Sequence, residues 1–327
     1  MKKPRILVTG SVNMDYTFGG TRFPAEGETV MGDSFSTAAG GKGANQACQA
    51  ARAGATVDFV GRIGNDHNGT ELMKSLSGMG IDTSMVITDL QNTTGCALIE
   101  LERRPDGTKN RIMVVPGAQM HFRKEELEFL KNRMEQYDMV LLQLEINSEA
   151  NAAVARMAHD AGVPVMLNPA PYSAIDREIL ETISFISPNE HEAFEMTGIR
   201  ITDIKTAEET ARAIRRMGPE NVLITLGEAG AVFCGEDRFI HCGCVSTDAV
   251  DPTAAGDSFV GAFCTAYSAG MDVEKALGFA SHAASITVSG YGAQPSIPDI
   301  GRIAESIREH GSDTDEAVLS VLSGGTE

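Results

Sequence analysis

The sequence predicts an α/β fold with a mostly parallel central sheet flanked by helices on both faces. Short apolar, β-branched runs alternate with segments of helical periodicity over most of the chain, which is typical of strand–helix–strand units. Two stretches break this alternation and carry strand-like runs instead. They predict a second, small antiparallel sheet that projects from the main one.

The candidate strands and helices follow one another closely along the chain. Seven short runs are predicted to be buried strands, at residues 5–10, 56–61, 139–144, 163–168, 183–188, 221–227 and 230–234. Helices are expected at residues 45–52, 69–76, 124–134, 149–159 and 207–217, and then at 256–268, 273–288 and 300–309. This alternation lets helices cover both faces of one sheet.

The two stretches without helical periodicity are residues 16–36 and 95–115. A small sheet built from them could cover a substrate site as a lid, form the face of a homodimer, or do both; the alternative is a surface decoration with no role. No internal repeat or long linker divides the chain, so residues 1–310 are predicted to form a single domain. Residues 311–327 are polar and glycine-ended, so a loosely ordered tail is expected.

The charge balance restricts the possible partners. The 327 residues include 27 Lys and Arg against 45 Asp and Glu, a net charge of −18. Such an acidic chain is not expected to bind nucleic acid or an anionic membrane non-specifically. An anionic ligand would need local positive potential from backbone N–H groups, a metal or a single lysine.

The compartment is predicted from the N-terminus and the cysteines. The first apolar run is too short for a signal-peptide core, and no stretch approaches the roughly 18–20 apolar residues of a spanning helix. The six cysteines lack zinc-site spacing. We therefore expect free thiols in a cytoplasmic protein with no membrane partner.

A glycine-rich turn runs into a predicted helix at residues 38–54. The pattern is not a P-loop, because Gly43 follows Lys42 where that motif requires Ser or Thr. Lys42, Asn45 and Gln46 share one face of the helix start and cluster donors suited to hydroxyl groups. The alternative is a helix cap with a solvated lysine.

Polar residues or glycines follow several of the predicted strands. Asn13 and Asp15 come after the first strand and point the same way if that segment is extended, so they could hold two vicinal hydroxyls. A turn that uses both side chains for local backbone bonds is the alternative. Comparable positions after later strands are held by Glu145, Asn189, Glu192, Thr225, Gly227 and Gly230. Together they predict one shared crevice.

The stretch DPTAAGDSF precedes an apolar helical run. Its small residues leave the N–H groups of Ala255, Gly256 and Asp257 at a helix start, where they favour an anion. A carboxylate beside such a site suits phosphoryl transfer to an alcohol, because Asp257 can accept the hydroxyl proton while the N–H groups hold the developing charge. A helix with an acidic first turn is the alternative.

Taken in order, these stretches resemble the ribokinase family of sugar kinases, of the phosphofructokinase-B type. The matching segments run from residue 10 to about 298 and include GSVNMD, PAEGETV, GGKGANQA, LQLE, LNPAP, SPNEHEA, VLITLGEAG, DPTAAGDSF and GAQPSIP. The resemblance implies a ribokinase-like α/β domain with a β-sheet lid. It also implies transfer of the ATP γ-phosphate to the 5-hydroxyl of D-ribose, giving D-ribose 5-phosphate.

The resemblance also implies roles for individual residues. Asp257 corresponds to the general base, and Ala254, Ala255 and Gly256 to the rest of the anion hole. The implied sugar ligands are Asn13, Asp15, Gly41, Lys42, Asn45, Glu145 and Asp257. The implied ATP contacts are Asn189, Thr225, Gly227, Gly230 and Gly256.

Two metal ions are implied in the same way. Glu192 would organise the Mg²⁺ shell through water. A monovalent cation such as K⁺ would be held by Asp251, Thr253, Thr287, Gly290, Gly292 and Ser296, largely through main-chain oxygens. Pro252 departs from the family pattern, in which a threonine usually follows the aspartate.

Other functions remain open at this point. A related kinase could act on another small sugar, such as deoxyribose, or on a nucleoside. A sugar sensor could keep the fold without catalysis, although Gly256 and Asp257 are both present. A homodimer through the lid is a further hypothesis, because the apolar strands of the lid would otherwise meet water.

Overall fold

The computed structural model describes residues 2–104 and 107–324. Within these ranges the strands are β1 Arg5–Thr9, β2 Asn13–Gly20, β3 Ser34–Gly40, β4 Thr56–Val60, β5 Arg62–Gly64, β6 Ile87–Asp89, β7 Gly95–Arg104, β8 Gly107–Val115, β9 Met139–Gln143, β10 Val165–Asn168, β11 Phe185–Ile186, β12 Asn221–Thr225, β13 Ala231–Cys234 and β14 Phe239–Cys242. The α-helices are α1 Lys42–Arg52, α2 His67–Gly78, α3 Ser148–Asp160, α4 Arg177–Leu180, α5 Glu190–Thr197, α6 Ile204–Arg215, α7 Ala255–Ser268, α8 Val273–Val288, α9 Ala293–Ser296, α10 Ile300–His310 and α11 Glu316–Leu322.

The main sheet has eight strands in the order β14–β13–β12–β11–β10–β9–β1–β4. The six strands from β12 to β4 are parallel, whereas β13 and β14 are added as antiparallel strands at one edge. All seven predicted strands lie in this sheet. The edge strand β14 was not predicted, because its four residues carry no alternating pattern.

Both faces of the main sheet are covered by helices. Within β1, Ile6 and Val8 belong to one apolar core and Leu7 to the other, as the two-residue period of a strand requires. Helices α1, α2, α7, α8, α10 and α11 pack on the first face, and α3 to α6 on the second. The predicted α/β architecture is therefore confirmed.

A separate four-stranded sheet, here called the lid sheet, has the order β3–β2–β7–β8. It is formed by the two stretches predicted to carry it. Its outer pairs, β2–β3 and β7–β8, are antiparallel, and a parallel pair, β2–β7, joins them at the centre. Residues 105 and 106 lie outside the described residues.

Two predicted segments differ in the structure. Residues 124–134 were expected to form an α-helix, but Lys124–Asn132 is a 3₁₀-helix. The expected loose tail contains α11, which buries Val318, Leu319 and Leu322 against the core. These three residues have the i, i+1, i+4 spacing of an apolar helix face, which the polar composition around them obscured. Residues 325–327 lie outside the described residues.

Within residues 2–104 and 107–324, none of the helices combines the length and the apolar run needed to cross a membrane.

Candidate active site

The loops that follow β1, β9, β10, β11 and β12 converge with the N-termini of α1 and α7. Between them lies a cavity of about 180 Å³. Its walls are formed by Lys42, Asn168, Ala170, Ser187, Asn189, Glu192, Thr225, Pro252, Ala254, Ala255, Gly256, Asp257 and Val260. A cavity therefore lies at the carboxyl ends of the strands, as expected for a parallel sheet. Of the residues predicted to share one crevice, Asn189, Glu192 and Thr225 line it, whereas Asn13, Asp15 and Glu145 do not.

The start of α1 packs tightly onto the loop that follows β1. Gly41 is the N-cap with φ of 93°, and a Cβ atom there would lie 2.8 Å from the Cα of Val12. Only glycine fits a backbone with both features. The backbone N–H of Ala44 donates to the carbonyl oxygen of Ser11 at 2.8 Å. The glycines of GGKGAN therefore bring α1 against this loop.

Glu145 is held at the junction of these two elements. Its Oε2 atom accepts the backbone N–H of Lys42 at 3.0 Å and also the hydroxyl of Ser11. The Ser11 Oγ atom in turn accepts the N–H of Gly43 at 3.1 Å. Ser11 was not predicted as a site residue, since an isolated serine after a strand carries no specific signal.

Asn13 and Asp15 lie two residues apart on β2, so their side chains share a face, as predicted. The carboxamide oxygens of Asn13 and Asn45 are buried and have no hydrogen-bond partner within the described part of the chain. Burial, and then the negative charge of Glu145, raises the pKa of Asp15 to about 7. Unsatisfied acceptors of this kind are suited to the hydroxyl groups of a ligand.

Asp257 lies in the first turn of α7 and is 6% exposed. Its Oδ2 atom accepts from Nδ2 of Asn45 at 3.0 Å, and its Oδ1 atom accepts from Nε2 of Gln46 at 3.1 Å. The carboxylate therefore faces the start of α1 and borders the cavity. Gln46 was expected to serve ligand hydroxyl groups, but its amide is directed to Asp257 instead.

The start of α7 presents backbone N–H groups to the cavity. Ala254 has φ of 62°, and it is the only residue other than glycine with positive φ in the described chain. The N–H of Ala255 donates to the carbonyl oxygen of Pro252 at 3.2 Å. This N–H group was predicted to be free, and the prediction is wrong for Ala255. The N–H groups of Gly256 and Asp257 have no partner among the described residues. The N–H groups that are free to bind an anion are therefore these two.

Lys42 is the only basic residue among those that line the cavity. Its burial would lower the pKa of the ammonium group, but the negative charges of Asp257, Glu145 and Glu192 outweigh this effect and raise the pKa. Lys42 was grouped with the sugar ligands. In the structure its backbone supports Glu145, whereas its side chain lines the cavity together with the N–H groups of α7.

The cavity is bounded on another side by the start of α5. Asn189 and Glu192 form a capping box, in which each side chain accepts the other residue's backbone N–H at 2.8 Å. Burial raises the pKa of Glu192. The backbone of Thr225 forms an isolated parallel β-bridge with that of Asn189, and Thr225 also lines the cavity.

Gly227 and Gly230, predicted to contact nucleotide, do not line this cavity. They form a 3₁₀ turn just beyond Thr225. A Cβ atom at Gly230, where φ is 90°, would lie 2.1 Å from the carbonyl oxygen of Cys242. The close approach of the end of β14 is therefore sufficient to require glycine at position 230, without a contact to a nucleotide.

The residues of the predicted monovalent-cation site come from two loops that meet. The carboxylate of Asp251 accepts the hydroxyl of Thr253 at 2.6 Å and the N–H of Gly292 at 2.9 Å. Burial would raise the pKa of Asp251, but these hydrogen bonds outweigh it and lower the pKa. The Ser296 hydroxyl donates to the carbonyl oxygen of Gly292 at 2.7 Å.

Two further residues of that set lie beside these loops. A Cβ atom at Gly290 would lie 2.9 Å from the Cβ of Ser296. The Thr287 hydroxyl is buried and donates to Ser258 at 2.8 Å. Among the described residues, no cluster of three or more His, Cys, Asp or Glu side chains could hold a metal ion. Any cation between these loops would therefore depend on main-chain and hydroxyl oxygens.

The fold and this geometry define a class of protein. A buried carboxylate, two free N–H groups at a helix start and one lysine border the same cavity, which is the arrangement of a phosphotransferase acting on an alcohol. The model of the pfkB family of carbohydrate kinases matches residues 3–300. The chain belongs to this family, as its sequence motifs predicted.

Individual relatives support the assignment. The chain is 38% identical to a ribokinase of Haemophilus influenzae over 295 residues, which cover 90% of this chain and 95% of that protein. It is 36% identical to a ribokinase of Bacillus subtilis, with 92% and 98% of the two chains covered. It also superposes on the structure of Arabidopsis thaliana ribokinase complexed with ribose and ATP. That match has a TM-score of 0.86 and 33% identity and covers 94% of this chain and 99% of that one.

Proposed function

We propose that the protein is a ribokinase, which transfers the γ-phosphate of ATP to the 5-hydroxyl of D-ribose and produces D-ribose 5-phosphate. The observation that carries this proposal is the position of Asp257. Its carboxylate borders the cavity beside the free N–H groups of α7, and it accepts a hydrogen bond from Asn45, whose buried carboxamide oxygen has no partner among the described residues. The similarity to ribokinases over nearly the whole chain supports ribose as the acceptor.

The polar residues around Asn13, Asp15, Asn45 and Glu145 bind the hydroxyl groups of the sugar. The unpartnered carboxamide oxygens of Asn13 and Asn45 accept hydrogen bonds from the sugar, as do the carboxylates of Asp15 and Glu145, and Asn45 also donates to Asp257. This arrangement brings the reacting hydroxyl to the carboxylate of Asp257, which removes its proton as the new bond to phosphorus forms. The N–H groups of Gly256 and Asp257 and the ammonium group of Lys42 stabilise the charge on the transferring phosphoryl group.

The residues at the other end of the cavity fit ATP with Mg²⁺. Glu192 lines the cavity opposite Lys42 and provides the hard carboxylate oxygen that Mg²⁺ prefers, together with water and phosphate. Asn189 and Thr225 lie beside it, and Gly227 and Gly230 form the turn that follows. Bound Mg²⁺ would neutralise phosphate charge during transfer.

The two loops joined by Asp251 fit a monovalent cation such as K⁺. Both carboxylate oxygens of Asp251 already accept hydrogen bonds from Thr253 and Gly292. The carboxylate therefore fastens the loops to each other, and carbonyl oxygens are left for the ion. The same loop continues through Pro252 into Ala254, so the cation would stabilise the start of α7.

The proposed substrate is tested by measuring ADP release with ribose, deoxyribose, other pentoses and nucleosides, each with and without K⁺. We expect the highest kcat/KM for ribose and a higher rate with K⁺. A preference for a nucleoside or another sugar would replace the proposed substrate. Sugar binding without any ADP release would support the sugar sensor.

Asp15 predicts a pH dependence of sugar binding. Because its pKa is about 7, Asp15 becomes protonated below neutral pH and loses acceptor capacity for sugar hydroxyl groups. The dissociation constant for ribose, measured by calorimetry without ATP, should rise by up to about tenfold for each pH unit below 7. Asp15→Asn should bind ribose weakly, with little pH dependence. A dissociation constant for the wild type that is constant from about pH 5.5 to 8 would contradict this prediction.

The same pKa has the opposite effect on the stability of the ligand-free protein. The pKa of Asp15 in the folded protein lies above its unfolded value of about 4, so the folded state binds more protons between these two pH values. The contribution of Asp15 to the free energy of unfolding is therefore largest below about pH 4 and is lost as the pH rises through 7. Ribose and protons thus compete for this carboxylate.

We also propose that the protein is a homodimer joined through the lid sheet. Strand register places Phe18 opposite Phe35 and Leu98 opposite Met113, so these four side chains share one face. Each is at least 37% exposed, and Met113 reaches 66%. An apolar patch of this kind on a sheet indicates an interface.

Replacing Met113 with glutamate tests the dimer. Sedimentation at micromolar concentration should show a dimer for the wild type and a monomer for Met113→Glu, because a buried unpaired charge disfavours association. Phe194→Glu is the matched control, since Phe194 is an exposed apolar residue on α5. A wild-type protein that sediments only as a monomer would overturn the proposal.

The cysteines fit a reducing compartment. All six are free thiols, and Cys48, Cys234 and Cys264 are buried. We therefore place the enzyme in the cytoplasm.

A further inference from the structure

Beneath the cavity lies a chain of hydrogen-bonded amide side chains, here called the amide chain, that ends on Asp257. It consists of Gln143 at the end of β9, Gln46 on α1 and Asn168 at the end of β10. Gln46 and Gln143 are fully buried, and Asn168 is 8% exposed. Buried amides of this kind are costly unless each is oriented by a partner.

The orientation of every amide follows from one backbone atom. The carbonyl oxygen of Ser187 can only accept, and Nδ2 of Asn168 donates to it at 2.7 Å. The Oδ1 atom of Asn168 is thereby turned to Gln46 and accepts from its Nε2 atom at 3.1 Å. Gln46 must consequently present its NH₂ group on this side and its Oε1 atom on the other.

The opposite end of Gln46 has the contact that this orientation requires. Its Oε1 atom accepts from Nε2 of Gln143 at 2.7 Å. The second hydrogen of the Gln46 NH₂ group is then directed to Oδ1 of Asp257, at 3.1 Å. Gln46 therefore donates to Asp257 and has no acceptor to offer it.

We infer that Gln46 is a positioning residue for the general base, and this inference rests on the proposed kinase function. Because the orientation of Gln46 is fixed, its NH₂ group can only donate, and it holds Oδ1 of Asp257 as an acceptor, which is the role that a general base needs. Asn45 holds Oδ2 of Asp257 and Gln46 holds Oδ1, so the plane of the carboxylate is set by two donors. Asn45 also has a carboxamide oxygen without a partner among the described residues, which a ligand could use, whereas Gln46 is fully buried and its amide is committed to other side chains.

Gln46→Leu tests the inference, because leucine keeps most of the volume and removes the donor. We expect kcat to fall by about 10–100-fold, the loss of a hydrogen bond to a charged group. The acid limb of the kcat–pH profile should move to higher pH, because a donor to the carboxylate is lost. The dissociation constant for ribose, measured without ATP, should change by less than about threefold, within the scatter of an indirect effect.

Gln49→Leu is a matched control. Gln49 lies three residues further along α1, is equally buried, and also connects α1 to α7, by accepting from the hydroxyl of Ser258 at 2.5 Å. It makes no contact with Asp257, so its replacement should cost similar stability but leave the acid limb in place. Equal loss of kcat in both variants, with the acid limb unmoved, would show that Gln46 is only structural.

If Gln46→Leu does not fold, Gln46→Glu tests the same inference, because glutamate has the same shape as glutamine. A second carboxyl group against Asp257 raises the pKa of the pair, so the acid limb should move further than in Gln46→Leu. An unchanged limb in this variant would overturn the inference. The proposed function fails separately, if the wild type releases no ADP with any sugar or nucleoside.

Discussion

Asp257→Asn should lower kcat for ribose phosphorylation by about 10²–10⁴-fold, the range for loss of a general base. Asparagine has the same shape and keeps an acceptor for one of the two amides that bind Asp257, but it cannot take the hydroxyl proton. The two free N–H groups of α7 and Lys42 remain in place, so some charge stabilisation persists. A residual rate well above the uncatalysed reaction is therefore expected.

Binding of ribose separates the loss of chemistry from the loss of structure. In the proposed function the sugar is held mainly by Asn13, Asp15 and Glu145, so calorimetry without ATP should give a dissociation constant close to that of the wild type. Asp272→Asn is the matched control, because Asp272 is another acidic residue at a helix start and its side chain accepts two backbone N–H groups of α8. Asparagine is an equally good N-cap. If Asp257→Asn had a kcat close to that of the wild type, Asp257 would not be the general base.

Most of the fold could be predicted because its signals are local. Strands β1, β9 and β12 are continuous apolar runs, and α7 and α8 follow small or capping residues that mark helix starts. The elements that were not predicted, α11 and β14, also have a physical explanation. Helix α11 is only seven residues long, and β14 only four, so tertiary packing rather than local pattern determines both.

The candidate site was predictable where chemistry is carried by charged residues near glycines, as at Asp257 and Lys42. The residues that only hold other side chains in place by hydrogen bonds could not be predicted. Gln143 and Asn168 lie at the ends of apolar strands, and Gln46 is one polar residue in a helix. Their roles depend on hydrogen bonds between residues up to 211 positions apart, and no local sequence pattern encodes such pairs.

The contact of Ala255 with Pro252 was missed for a similar reason. The sequence shows small residues before α7 but not the direction in which each N–H group points. In the structure Ala254 takes a left-handed conformation, which costs about 1–3 kcal/mol for a residue other than glycine. That turn pairs the N–H of Ala255 within the loop and leaves those of Gly256 and Asp257 at the cavity. The left-handed conformation of Ala254 therefore determines which N–H groups remain free at the cavity.

Gly256→Ala should lower kcat by about 10²-fold while leaving the protein at least as stable as the wild type. A Cβ atom at Gly256 would meet no other atom within 4 Å, so the fold accepts it. Side chains on a helix tilt towards its N-terminus, which here borders the cavity. The added methyl group would therefore occupy the space through which a phosphate oxygen reaches the free N–H groups.

Gly278→Ala is the matched control for this variant. Gly278 lies inside α8, away from the cavity, and a Cβ atom there also meets nothing within 4 Å. Each substitution should raise the free energy of unfolding by up to about 1 kcal/mol, because alanine has the higher helix propensity. Only Gly256→Ala should lose activity. If both variants phosphorylate ribose equally well, the transferred phosphate does not approach the start of α7, and the anion-binding role of these N–H groups is wrong.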